Sequence, residues 1–333
     1  MPELPEVQTV VSDLKRKIVG DTITDFWSDW PKAIKNLSLP KFKQEIKNRK
    51  ILGVRRIGKN IFLDLSSGPA RNASHSDAGG KTLYIHLKMT GHLLVKPAKW
   101  NMEHKTCNKN YFNDKVNQYI HHIWYLKGNA NYLTPTLSLK RRGSNKEKTL
   151  EFSDVRKFAK IVLADMDKIK ELPEIKKLGI DAMDPKLTLK KFKEKFSAQG
   201  GSARGGKEML SAKGGKKIGL LLMDQETIAG IGNIYRSEIL FAAGLTPTKM
   251  VKSLKDSEWQ KLYMSMRKVL KEAIKMRGTS QSDYRDTSGA PGNFQKVLQV
   301  YKRAGEKCFK CGIIIKRQIL GQRSLFFCPR CQQ

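Results

Sequence analysis

The chain is short of acidic residues, of long apolar runs and of cysteines outside one cluster, and each shortage excludes something. No stretch approaches the roughly 20 uncharged apolar residues that span a bilayer. MPELPEVQTV, at the start, lacks the basic-then-apolar order of a secretory leader. A soluble, intracellular protein with no membrane partner is expected. Cys residues number 5, and four of them form two C-x2-C pairs near the C-terminal end, a pattern suited to metal ligation in a reducing compartment rather than to a disulfide framework. Asp and Glu total 31 against 64 Lys and Arg, which leaves a net charge of +33. That potential favours a polyanion, because each neutralised phosphate releases condensed counterions. Nucleic acid leads over an anionic membrane surface, since no strongly amphipathic basic helix carries Trp or Phe on its apolar face. Charge alone does not identify an enzyme.

What is present suffices for folded domains. Apolar residues make up 39% of 333, and 26 glycines bring the chain near the ~45–50% usual for globular proteins. The length suits two domains. Pro2 to Ile18 places Val7, Val10, Val11, Leu14 and Ile18 at helical spacing and stops at Gly20. Ile51 to Leu65 alternates, with a turn at Gly58, Lys59 and Asn60, and Lys81 to Pro97 has a strand-turn-strand look around Thr90-Gly91. Leu150 to Ala164 is another β-compatible run. The first part of the chain therefore reads as a mostly-β domain opened by one helix.

Residues 98–148 are rich in Asn, Lys and aromatics and read as an insertion, with a strand resuming at His121 to Tyr125. Beyond Asp165 the period becomes helical. A short helix opens behind Thr188, 199–217 reads as a flexible basic loop, and Ile218 to Met223 restarts an apolar helix. Glu258 to Met276 carries Trp259, Leu262, Tyr263, Met266, Val269, Leu270, Ala273 and Ile274 on one face, with Ser253 and Asp256 as a capping box.

Cys308, Cys311, Cys328 and Cys331 have the spacing of a zinc site. Tetrahedral zinc takes four thiolates at about 2.3 Å, and a hairpin with Gln322-Arg323 at its tip would supply them. With every position filled by protein, the metal is structural. Cys107 reads as an incidental thiol.

Removal of Met1 would expose Pro2 as a secondary amine. An α-amino group titrates near ~8, against ~10.4 for lysine, so part of it is neutral and nucleophilic at physiological pH. Such an amine can attack a sugar C1′ and form an iminium, which acidifies the C2′ proton and permits loss of the 3′ phosphate. Glu3 and Glu6, in the same helical turn, can supply a proton donor and an orienting charge. Pro followed by Glu is also an ordinary helix start.

MPELPEV, RRIGKN, HLKMTG, DVRKFA, AGIGNIYRSEILFAAG and the QRS ahead of the second cysteine pair occur in the order found in bacterial-type formamidopyrimidine-DNA glycosylases, of the formamidopyrimidine/endonuclease VIII family. The resemblance covers roughly residues 2–94 and 149–333. It implies an α+β, two-domain fold: an N-terminal helix plus β-sandwich, then a helix-two-turns-helix domain with a C-terminal β-hairpin zinc finger. The implied boundaries are 1–166 for the catalytic sandwich, with the insertion at about 98–148, then 167–295 for the DNA-binding helices and 296–333 for the zinc hairpin. DNA would run through the cleft between the domains.

By the same resemblance, Pro2 is the Schiff-base nucleophile, Glu3 the proton donor, Glu6 a supporting carboxylate, and Lys59 the lysine near the lesion phosphate and C1′. Met89, Arg156 and Phe158 match positions that enter the duplex and fill the gap left by an everted base. Asn233 and Arg323 match phosphate contacts, and the loop Gly278 to Gly292 resembles one that closes over the damaged purine.

The implied activity is excision of oxidised purines such as 8-oxoguanine and formamidopyrimidines, followed by β,δ-elimination at the abasic site. The enzyme would be monomeric on damaged double-stranded DNA, in cytoplasm, nucleoid or nucleus according to host, with one structural zinc and no redox cofactor. Gly219-Leu220 departs from the family's usual Lys-Pro, and the two insertions are long. An endonuclease VIII-like enzyme favouring oxidised pyrimidines shares nearly every motif, although that type more often has Gly where this chain has Leu4. A non-catalytic DNA-binding protein remains open if Met1 is retained or Pro2 is blocked. A zinc-ribbon adaptor would leave Pro2, Glu3 and Lys59 unexplained.

Overall fold

The computed structural model describes residues 1–69, 79–97, 111–128, 147–197 and 215–333. The basic tract and Cys107 lie outside these, except for residues 215–217, as does most of the 98–148 insertion. The chain packs as two compact units. One comprises 1–2, 6–172 and 277–293; the other comprises 3–5, 173–276 and 294–333.

In the first unit, α1 (Leu4–Ile18) presents the expected apolar face, and Val7, Val10, Val11, Leu14 and Ile18 are all buried. The strands are β1 (Thr22–Ser28), β2 (Arg49–Ile57), β3 (Asn60–Pro69), β4 (Lys81–His86), β5 (His92–Pro97), β6 (Ile120–Lys127), β7 (Glu147–Ser153) and β8 (Lys160–Asp165), with α2 (Leu39–Ile46) between β1 and β2. Their order is β5-β7-β6-β1-β2-β3-β4-β8. Among the described residues β1 and β2 share only the pair Thr22–Lys50, so the ribbon divides there into two four-stranded antiparallel halves. Phe26, Trp124, Leu150 and Phe152 from one half and Ile61, Leu63, Leu83, Ile85 and Ile161 from the other share a single core with α1. This is the expected sandwich.

Three local expectations need correction. Asn60 starts β3 opposite Ile57, which leaves a two-residue turn of Gly58 and Lys59. Lys81 to Pro97 is not a hairpin: β4 pairs with β3 and β8, and β5 pairs with β7. The run from Leu150 to Ala164 is likewise two strands in different halves, β7 and β8. Both connections therefore cross from one half of the sandwich to the other. The strand expected at His121 to Tyr125, within the 98–148 stretch, is β6, paired with β1 and β7.

The second unit holds α3 (Pro173–Lys176), β9 (Ile180–Asp181), α4 (Leu189–Ser197), α5 (Ile218–Leu221), β10 (Ile228–Ala229), α6 (Asn233–Ala243) and α7 (Asp256–Lys275), then the hairpin β11 (Lys316–Leu320) and β12 (Arg323–Phe327). The α7 stripe of Trp259, Leu262, Met266, Val269, Leu270 and Ala273 is buried in the second core. Its cap differs from expectation: Ser253 belongs to the preceding 3-10 turn, and the Glu258 carboxylate reaches back to Lys255 N at 2.9 Å. The hairpin tip is Gly321-Gln322, at φ 58° and 60°, with Leu320 opposite Arg323. Two consecutive positive φ angles match the right-handed twist of the flanking strands, which shifts the tip back by one residue.

Candidate catalytic, DNA-contact and metal sites

In the first unit, Pro2, Glu6 and Lys59 are all buried. The Lys59 turn is held from both sides: Arg56 donates to Gly58 O at 2.7 Å and to Gln8 Oε1 on α1 at 2.9 Å, while Asn60 Nδ2 donates to Ile57 O at 2.9 Å. A turn pinned to α1 and to its own strand can aim a lysine that would otherwise sample many rotamers.

Glu6 meets the loop at Gly278 to Gly292, which belongs to this unit. Thr279 N donates to Glu6 Oε1 at 2.7 Å, and a Cβ on Gly278 would come 2.7 Å from that oxygen. Gly278 is therefore required twice over, by this contact and by its φ of 80°. The loop base is fixed by Arg277, whose guanidinium lies 2.5 Å from Asp13 on α1 and 2.6 Å from Asp286. Those bonds hold the Asp13 carboxyl below its usual value although burial pushes it up, and the two carboxylates raise Arg277 against its own burial.

The two crossovers bring Met89, Arg156 and Phe158 together. Arg156 Nη1 lies 3.3 Å from Met89 Sδ, and the guanidinium carbon sits 4.7 Å from the Phe158 ring centre. Met89 is 37% and Phe158 49% exposed, so two large apolar side chains flank an arginine at the surface. Isolated apolar residues need no explanation, but this grouping does.

In the second unit, Glu3 is 3% exposed and its carboxylate is gripped at the start of α6. Gly232 N donates to Oε2 at 2.8 Å, Ile234 N to Oε1 at 2.9 Å and Tyr235 N to Oε2 at 3.3 Å. These are the free N–H groups that a helix start offers to an anion. Asn233 is half-buried, and its Nδ2 donates to Ser324 O on β12 at 2.9 Å. Arg323 begins that strand and is exposed.

Sequence reasoning missed Arg236. Wholly buried in α6, it donates to Gly219 O at 3.1 Å and to Asn233 Oδ1 at 2.5 Å, while its Nε has no hydrogen-bond partner among the described residues. Burial pulls the guanidinium down to about 10, against the opposing pull of the Glu3 charge. Gly219 itself has no room for a side chain, since a Cβ would lie 2.8 Å from Pro247 O and 3.0 Å from Leu320. The departure from Lys-Pro is thus built into the packing, and a cation from α6 meets the backbone at that point. A charged residue amid the apolar run of NIYRSEILF was the signal available.

Cys308, Cys311, Cys328 and Cys331 place their sulfurs within 4.8 Å of one another. The pairs Cys308–Cys331 and Cys311–Cys328 stand at 4.0 and 3.4 Å. Four thiolates about 2.3 Å from one zinc would be spaced ~3.8 Å apart, so the set fits a tetrahedral ion. The knuckles are tied to the helices by Gln332, which accepts from Cys328 N and donates to Leu245 O. Glu238 on α6 likewise accepts from the backbone N–H of Gln299, Val300 and Tyr301, ahead of the hairpin.

A helix start that grips a carboxylate, a second helix packed on it and a four-cysteine hairpin define a helical domain that ends in a zinc finger. Residues 1–161 match the formamidopyrimidine-DNA glycosylase N-terminal domain, 178–285 the H2TH domain of the same proteins, and 305–333 the zinc finger found in FPG and IleRS. The formamidopyrimidine-DNA glycosylase of Pelotomaculum thermopropionicum is 32% identical, over 100% of this chain and 99% of that protein. A Lactococcus lactis Fpg complex with abasic-site DNA superposes with TM-score 0.73 at 27% identity, over 99% of both chains. A MutM complex with carbocyclic 8-oxo-G DNA gives TM-score 0.73 at 27% identity, over 100% of both. The chain belongs to the formamidopyrimidine-DNA glycosylase family.

Proposed function

We infer that this chain excises oxidised purines from double-stranded DNA and then cuts the abasic strand, acting as an N-glycosyl hydrolase with lyase activity. The observation that carries the catalytic assignment is the grip of three N–H groups at the start of α6, from Gly232, Ile234 and Tyr235, on Glu3, the residue that follows Pro2 in the chain. Both carboxylate oxygens accept hydrogen bonds, which fix the place and orientation of the group that relays the proton.

The reading of the steps follows. With Met1 removed, the neutral Pro2 nitrogen attacks C1′, the nitrogen–carbon bond forms, and the bond to the damaged base breaks, the base leaving with the electron pair and taking a proton from water. The proton leaving the Pro2 nitrogen passes to Glu3 and on to the ring oxygen, so the sugar opens to an iminium. Loss of the C2′ proton then expels the 3′ phosphate, and a second elimination expels the 5′ phosphate. Glu6, buried against the Gly278 to Gly292 loop, supports the amine electrostatically, and Lys59 serves the lesion phosphate and C1′. Met89, Arg156 and Phe158 fill the vacated stack, and Asn233 and Arg323 hold backbone phosphates. The four cysteines hold one zinc, which stiffens the hairpin carrying Arg323.

In functional terms 1–166 carries the chemistry, 167–295 the DNA-binding helices and 296–333 the zinc hairpin, with 277–293 returning to the first unit. No helix among the described residues is long and apolar enough to cross a membrane. The enzyme works as a single chain wherever the host keeps its DNA, in cytoplasm and nucleoid or in nucleus.

A duplex carrying one 8-oxoguanine tests the reading. The expected product is a one-nucleotide gap with phosphate on both sides. An intact strand, or a faster cut at an oxidised pyrimidine by more than about tenfold, would replace it with a binding protein or with the pyrimidine-directed enzyme respectively.

A further inference from the structure

Asp154 is buried to 0% exposure at the start of the β7–β8 crossover, and every acceptor position of its carboxylate is used for loop geometry. Oδ1 takes the hydroxyl of Thr90 and the backbone N–H of Arg156 at 3.3 Å. Oδ2 takes the N–H groups of Phe158 at 2.9 Å and Ala159 at 3.0 Å. Thr90 Oγ1 also accepts from Arg156 N at 3.2 Å, so one carboxylate and one hydroxyl clasp the two crossovers to each other. Both loops are strained where they present their side chains: Lys88, before Met89, has φ 54°, and Lys157, between Arg156 and Phe158, has φ 53°. Non-glycine residues hold such angles only where surrounding bonds over-determine them.

We propose that Asp154 is a positioning residue, which through Thr90 holds Met89, Arg156 and Phe158 as one preformed wedge for the gap in the DNA stack. The inference rests on the reading that these three side chains enter the duplex. Two exposed apolar side chains on separate loops would otherwise be ordered only at the moment of insertion, and that cost would weaken the extruded-base complex. A carboxylate is needed because donors face both oxygens. An amide turns an N–H toward one of them and leaves two donors facing each other.

The test compares Asp154→Asn, Thr90→Val and Thr90→Ser with the triple variant Met89→Ala, Arg156→Ala, Phe158→Ala. Each acts on an 8-oxoguanine duplex and on a single strand with a preformed abasic site, and 2-aminopurine opposite the lesion reports unstacking. Asp154→Asn and Thr90→Val are expected to lose about tenfold in kcat/KM on the duplex, with the fluorescence rise diminished and single-strand cutting within about twofold. Thr90→Ser, which keeps the hydroxyl, is expected to restore duplex cutting and fluorescence. If Asp154→Asn fails to fold, Thr90→Val decides. Duplex activity intact in Thr90→Val while the triple variant loses it would overturn the positioning role, as would equal loss on both substrates. A triple variant that cuts duplexes normally would instead sink the wedge reading beneath it.

Discussion

A Cβ added to Gly232 would lie 2.3 Å from the carboxyl carbon of Glu3. The backbone of Gly232 is extended, at φ −132°, so alanine is permitted there by conformation and forbidden only by the carboxylate. Gly232→Ala is therefore expected to leave the second unit folded while displacing Glu3, with kcat reduced about a hundredfold, as misplacement by an ångström does. Steady-state cutting alongside a thermal melt checks this. Wild-type turnover would remove Glu3 from the mechanism.

Arg323 opens β12 at the surface, and Asn233, bonded to the neighbouring Ser324, fixes that end of the hairpin to α6. Arg323→Ala is expected to weaken binding of abasic-site duplex by the ~1.5–3 kcal/mol typical of a charged hydrogen bond and to flatten the salt dependence. Unchanged affinity in a salt titration rejects its phosphate contact.

Cys308 and Cys328 are buried in a small core with Val300, Ile315 and Phe326, so the metal and the hairpin fold together. Chelation, or Cys328→Ser, is expected to abolish duplex binding and release about one zinc per chain. Metal analysis and gel shift measure both, and full binding by metal-free protein would contradict the account.

Acid is expected to act through His122. Burial, and then the charge of His121, push His122 from 6.5 down to about 3. Below pH 6.5 the unfolded chain takes up a proton that the folded chain refuses, so stability present above 6.5 falls as the pH drops toward 3. The fall in melting temperature between about pH 7.5 and pH 4.5 is expected to shrink in His122→Gln, whereas an equal fall in both proteins would show that other groups set the acid limit.

The parts legible in the sequence are those whose physics is local. The α1 and α7 stripes follow from one period, the zinc site from cysteine spacing, and the presence of a turn at Lys59, though not its two-residue length, from its flanking alternation. What stayed hidden depends on partners far along the chain. Lys81 to Pro97 resembles a hairpin until β3, β8 and β7 compete for its strands. Asp154 reads as an ordinary turn residue, because its Thr90 partner lies on another crossover. Arg236 makes sense only once α5 packs against Pro247 without a side chain between. The roles of Pro2, Glu3 and Lys59 came from motif resemblance, since an N-terminal proline, a helix-start glutamate and a turn lysine are commonplace singly.

Borohydride trapping bears most directly on the central claim. Mature protein incubated with 8-oxoguanine duplex and reductant is expected to yield a covalent complex, and peptide sequencing of it to place the sugar on the nitrogen of Pro2. An adduct on Lys59 or any other side chain, or none from protein that is active and lacks Met1, would contradict the mechanism.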